Sequence, residues 1–146
     1  MRRTVRVLVA EDNEDHVFFI TRALRGVDEV AFEIESVSDG AEALDYLYRR
    51  GEYHDRPRPH LVLLDLKMPR VAGLEVLDVV KNDPELRSIP IAVLTSSERQ
   101  QDVDDSYRAG GNAYLIKRPA FAELSDKLVS MSRFWTHTAV LPEPPV

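Results

Sequence analysis

The chain has no cysteine among its 146 residues. Disulfides and thiolate chemistry are therefore excluded, and nothing points to an oxidising compartment. It has no apolar run long enough to span a bilayer. It also lacks a basic excess: 19 Lys and Arg against 25 Asp and Glu leave a net charge of -6. That balance argues against general nucleic-acid binding, which needs a basic face. A secretion signal is not expected either. "MRRTVRVLVAED" passes from basic to apolar, but the run is short, Arg6 breaks it, and acids follow in place of a small-residue cleavage site. No internal repeat is present. A cytoplasmic protein that engages neither membrane nor nucleic acid is the expectation.

What is present is one domain's worth of chain, with 44% hydrophobic and 30% charged residues, enough for a sizeable core. Five β-rich runs, Val5–Ala10, Phe32–Val37, Leu61–Leu66, Ile89–Thr95 and Ala113–Ile116, alternate with helical patterns. "LVLLDL" and "IAVLTS" are nearly continuous apolar runs, as in parallel strands covered on both faces. Apolar residues recur at helical spacing in Glu14–Arg25, Ala41–Arg50 and Gly73–Asn82, and again from Phe121 through Leu124, Leu128, Met131 and Trp135. Ser97–Ala109 is weakly apolar and highly charged, so it is expected to be the most exposed helix. Alternation of this kind implies right-handed crossovers and a doubly wound α/β sheet.

The polar residues fall where such a sheet places its ligands. Glu11 and Asp12 follow the first strand, Asp65 closes "LVLLD", Thr95 ends "IAVLT" and Lys117 ends "AYLIK". The carboxyl ends of parallel strands share one edge, and the crevice opens where strand order reverses, here between the first and third strands. Any one of these residues alone is explained as a helix cap, a β-branched strand residue or a solvated rim charge. All of them together, on four of five strand ends, are not. Three carboxylates carry about three negative charges, which one divalent cation and Lys117 would balance. Oxygen donors without His or Cys favour Mg²⁺ or Mn²⁺ over zinc. A carboxylate nucleophile beside a cation and a lysine suits phosphoryl transfer, with an Asp oxygen as acceptor and Thr95 as hydrogen-bond donor to the arriving group.

"VLVAEDN", "LVLLDLKMPRVAG", "AVLTSS" and "AYLIKRP" stand in the order and spacing of the receiver domain of two-component response regulators. The resemblance covers about the first 130 residues. It implies a chemotaxis-regulator-like, flavodoxin-like (βα)5 fold with strand order 2-1-3-4-5, taking a phosphoryl group from a phosphohistidine on a sensor histidine kinase. It makes Asp65 the phosphoacceptor and Asp12 a direct metal ligand, with Glu11 acting through a bound water and the Lys67 backbone carbonyl completing the protein's share of the site. Thr95 then resembles the switch hydroxyl, Lys117 the phosphate-binding lysine and Tyr114 the aromatic switch. Met68, Pro69 and Gly73 match the loop after the acceptor, and Arg118-Pro119 fits a turn that is usually cis. Glu11 stands where Asp is the commoner residue. Lys67 occupies a variable position that influences hydrolysis of the acyl phosphate, and a cation there is expected to lengthen its lifetime.

The receiver is expected over 1–133 and a C-terminal extension over 134–146, with "LPEPPV" too rich in proline to form a helix and expected to be disordered. With no output module expected in that length, signalling by docking is expected, through the face of helix 4, strand 5 and helix 5. A phosphate sink or carrier, or a degenerate receiver that only binds, are the alternatives. A phosphatase with an Asp-x-Asp nucleophile motif is disfavoured because Asp65-Leu66-Lys67 lacks the second acid. The protein is therefore not expected to be an enzyme acting on external substrates. The "RRGEYHDRPRP" insertion and the "FW…LP" extension resemble the small stand-alone regulators paired with bacterial phytochrome kinases. Such relatives tend to form dimers through the face of helix 4, strand 5 and helix 5, and Phe121, Leu124, Phe134 and Trp135 are the candidate interface, although for Leu124 and Leu128 packing onto their own sheet is the favoured reading.

Overall fold

The computed structural model describes residues 3–146; Met1 and Arg2, the first two positions of the expected domain and its basic start, lie outside the described residues. Five strands, β1 (Arg3–Ala10), β2 (Val30–Val37), β3 (Leu61–Leu64), β4 (Ile91–Thr95) and β5 (Ala113–Ile116), form one sheet. All pairings are parallel, in the order β2-β1-β3-β4-β5. Five helices alternate with them: α1 (Glu14–Arg25), α2 (Gly40–Leu47), α3 (Gly73–Lys81), α4 (Gln100–Arg108) and α5 (Phe121–Arg133). This is the expected doubly wound arrangement. Among the described residues no helix is long and apolar enough to cross a membrane.

Side-chain alternation along the strands builds two cores. Val5, Val7 and Val9 of β1, with Leu61 and Leu63 of β3, face α1 and α5. Leu8 and Ala10, with Val62, Leu64 and Val93, face α2 and α3. β3 and β4 are buried throughout, whereas β5, at the sheet edge, is half-buried along its length. α4 buries only Ser106, in line with its charge-rich sequence.

Several boundaries differ from expectation for local reasons. β4 starts at Ile91 rather than Ile89 because Pro90 has no N–H to give to a ladder, although its carbonyl still accepts from Val62 N at 3.0 Å. α2 stops at Leu47, and Arg49 adopts a left-handed conformation (φ 57°) before a 3-10 turn at Gly51–Tyr53. After α5 the chain continues in wide π-type turns over Phe134–Thr138.

The tail forms no helix but lies against the domain instead of standing clear of it. Leu141 is buried in the core beneath α1 and α5. The buried guanidinium of Arg58 donates from Nε to Leu47 O and from Nη1 to Val146 O, both at 3.1 Å. Arg3 Nη1 donates to Thr136 O at 3.1 Å. These contacts lie at the amino-terminal edge of the sheet, opposite the polar residues, and one leucine is enough to anchor an otherwise proline-rich segment. Leu141→Ala is expected to lower the unfolding free energy by about 2–3 kcal/mol in urea titrations; an unchanged midpoint would show that the tail adds nothing to the core.

Candidate functional site

The polar residues are fixed by the ladder that ends just before them. Glu11 N donates to Val37 O and Asp65 N to Ala10 O, both at 3.0 Å, while Lys117 N donates to Thr95 O at 2.7 Å. Each is thus held in register one step beyond its strand. Strand parity then decides where the side chains go. Glu11, Asp65 and Lys117 follow Ala10, Leu64 and Ile116, so they continue the face of Val9, Leu63 and Leu115, beneath α1 and α5. Thr95 has the opposite parity and belongs with Val93 and Tyr114.

The outcome is a buried ion triad. The Lys117 ammonium contacts Glu11 Oε1 and lies 3.0 Å from Asp65 Oδ2. All three residues are less than a tenth exposed. The remaining oxygens are also engaged: Asn13 N donates to Glu11 Oε2 at 3.2 Å and Lys67 N to Asp65 Oδ1 at 3.1 Å. Burial pushes the Glu11 carboxyl above its ordinary value of 4.5, the Lys117 hydrogen bond pulls it back, and the neighbouring Asp65 charge adds to the rise. A carboxyl raised on folding gives its full stability below 4.5 and loses it as pH rises through the raised value. The ionised form of Glu11 is therefore held at a cost, which added positive charge offsets.

Asp12 is exposed beside the triad. One carboxylate oxygen from each of Glu11, Asp12 and Asp65 lies within 4.8 Å of the others. This all-oxygen, net-negative donor set fits a hard divalent cation of the Mg²⁺ or Mn²⁺ kind. Lys67, exposed two residues after Asp65, has its amide turned to the acceptor side chain. Gly73 is required where the loop after Asp65 returns, because a Cβ there would meet Asp65 O at 2.0 Å.

Thr95 is fully buried at the end of β4, and Ser97 N approaches its Oγ1 at 3.5 Å. The Tyr114 hydroxyl donates to Ser97 O at 2.9 Å. Ser97 Oγ in turn contacts Asp102 in the first turn of α4 and accepts from Arg99 N at 3.3 Å. Thr95, Tyr114 and the start of α4 are thus tied through one serine. Sequence reasoning missed Ser97, although a serine just ahead of a helix is a recognisable cap. It also missed His16, whose Nδ1 lies 3.0 Å from Lys117 Nζ. A cleft of about 500 Å³ opens here, lined by His16, Ser96, Glu98, Lys117, Arg118 and Pro119.

One expectation changes. The Arg118-Pro119 bond is trans, since no described peptide bond is cis. Trans is the intrinsically favoured isomer, and Arg118 is drawn aside by ion pairs with Glu98 and Glu123. Of the candidate interface residues, Leu124 is buried in the domain's own core, the packing favoured for it from its spacing. Phe121 is partly exposed but stacks on Phe19 at 4.5 Å; Phe134 is exposed, and Trp135 is half-buried against the core.

Residues 7–129 match the family described as the response regulator receiver domain. The chain is 35% identical over 136 residues to the response regulator Rcp1 of Synechocystis sp., covering 93% of this chain and 92% of that one. The crystal structure of Rcp1 in its Mn(2+)-bound form is similar at a TM-score of 0.90 and 34% identity, covering 95% of this chain and 99% of that one. The phosphorylated cyanobacterial phytochrome response regulator RcpA is similar at a TM-score of 0.92 and 37% identity, with 96% and 99% covered. The bacteriophytochrome response regulator RtBRR is 41% identical at a TM-score of 0.74, with 97% and 84% covered. The match spans most of the chain, from the strand that carries Glu11 to the helix that follows Lys117. The chain therefore belongs to the receiver domains of two-component systems, phosphoacceptor signalling modules rather than classical enzymes.

Proposed function

We propose that Asp65 accepts a phosphoryl group from a phosphohistidine of a sensor histidine kinase, with Mg²⁺ or Mn²⁺ held by Glu11, Asp12, Asp65 and the Lys67 carbonyl. The observation that carries this reading is the placement of the Asp65 carboxylate at the sheet edge, against Lys117 and within cation-sharing distance of Glu11 and Asp12. An Asp65 oxygen attacks phosphorus, the P–N bond breaks, and its electron pair leaves with the donor imidazole, which takes a proton from solvent. The cation, when bound, neutralises charge on the phosphoryl oxygens. Lys117 supplies a second positive charge to the same oxygens, and Thr95 donates its hydroxyl once the group has arrived.

Signalling follows from the loop between β4 and α4. A Thr95 hydroxyl drawn to the phosphoryl group moves the segment that Tyr114 grips through Ser97 O. α4 buries little and β5 is half-buried, so two of the three elements of the face of α4, β5 and α5 are held loosely, while α5 is anchored in the core. The resemblance to RcpA and RtBRR supports a kinase of the bacterial phytochrome type as the donor. A homodimer is supported by the apolar groove of about 440 Å³ between β5 and α5, lined among others by Leu115, Met131, Phe134 and Trp135.

Incubation with acetyl phosphate and Mg²⁺ tests the reaction. Intact-protein mass spectrometry is expected to show one labile phosphoryl adduct, absent from Asp65→Asn; turnover of external phosphate esters would contradict it. Phe134→Glu is expected to convert a dimer to a monomer in sedimentation without loss of secondary structure. An oligomeric state indifferent to this charge would remove Phe134 from the interface.

A further inference from the structure

We propose that His16 is a positioning residue for Lys117, holding the ammonium at the sheet edge while both of its carboxylate partners change. An ammonium has three N–H donors and no acceptor. Three acceptors surround Lys117 Nζ: Glu11 Oε1 in contact, Asp65 Oδ2 at 3.0 Å and His16 Nδ1 at 3.0 Å. The donor set is complete, and the imidazole, accepting at Nδ1, carries its proton on Nε2.

The backbone places His16 there by design of the helix start. Asn13 caps α1, its side-chain oxygen accepting from Asp15 N at 2.9 Å and His16 N at 3.2 Å. This fixes His16 in the first turn, where it lines the same cleft as Lys117, Ser96, Glu98 and Arg118. The ring is partly solvent-exposed, so it closes the outer side of an otherwise buried triad.

The need for such a partner follows from the reaction. Lysine is a point charge on a flexible four-carbon stem, and its two carboxylate partners are the groups committed elsewhere once the acidic cluster holds a cation and Asp65 is esterified. His16 is the one partner of the ammonium that is neither a carboxylate of the cation cluster nor the acceptor of the phosphoryl group. It keeps the ammonium within reach of the incoming phosphoryl oxygens instead of letting it swing into the cleft.

Three proteins test this: wild type, His16→Ala, and His16→Asn, whose amide oxygen falls near the place of Nδ1. In metal-free, ¹⁵N-lysine-labelled protein, the Lys117 ammonium protons are expected to give an observable signal in wild type, lost in His16→Ala and restored in His16→Asn. With acetyl phosphate and Mg²⁺, the initial rate of adduct formation is expected to fall roughly fivefold in His16→Ala and to return to within about twofold of wild type in His16→Asn, the weight of one partly exposed hydrogen bond. An alanine variant that keeps both signal and rate, or an asparagine variant that restores neither, overturns the proposal. The rate rests on Asp65 as acceptor. Failure of wild type to form any adduct defeats that reading instead, and the ammonium signal then decides for or against His16.

Discussion

One ammonium shared between two buried carboxylates is the constraint on which the functional edge of this domain depends. Glu11 and Asp65 lie less than a tenth exposed on adjacent strands, and without Lys117 their repulsion and desolvation would be uncompensated. The sheet makes the contact possible by register. Each residue sits one step past its strand, held by a ladder hydrogen bond, on the same face. Even so, the compensation is incomplete. With Asp12 included, three carboxylates face one ammonium, and burial still raises the Glu11 carboxyl. The site remains short of positive charge, and that shortage is its affinity for a cation.

The same parity that gathers the triad sends Thr95 and Tyr114 to the opposite face, where they serve a different purpose. Thr95 ends β4 and meets Ser97 N, and Tyr114 holds the loop that follows through Ser97 O. α4, which begins at that loop, is stabilised largely by its own surface bonds, such as Gln100 to Asp104 and Gln101 to Asp105. Segments with little buried area open and shift at low cost. A well-packed acidic edge beside a loosely held helix is the arrangement that the proposed switching requires.

Much of this was legible in the sequence because it depends on local pattern. Continuous apolar runs identified β3 and β4 as doubly covered strands, and the polar residue after each run marked the edge. The features that escaped depend on which surfaces meet. His16 looks like an ordinary helix residue until α1 is seen to bring its ring against Lys117, 101 positions away. Leu124 fits an interface seam as well as a core stripe by spacing; the core is the favoured reading, and docking of α5 on the sheet places it there. Leu141 sits among prolines that exclude regular structure, and composition alone gave no sign that a single side chain would reach the core. The Arg118-Pro119 turn was read through the family's habit, and here the chain takes the isomer that any Xaa-Pro bond prefers.

The shared-carboxylate arrangement makes the ammonium and the cation rivals for Glu11 and Asp65. Calorimetric titration of Mn²⁺ into wild type and Lys117→Met measures that rivalry directly, since methionine keeps most of the stem and removes the charge. Binding tighter in Lys117→Met by roughly tenfold, well within the ~4 kcal/mol that one charge contact at about 4 Å carries at an effective dielectric near 20, is the expected result. Equal or weaker binding would contradict it.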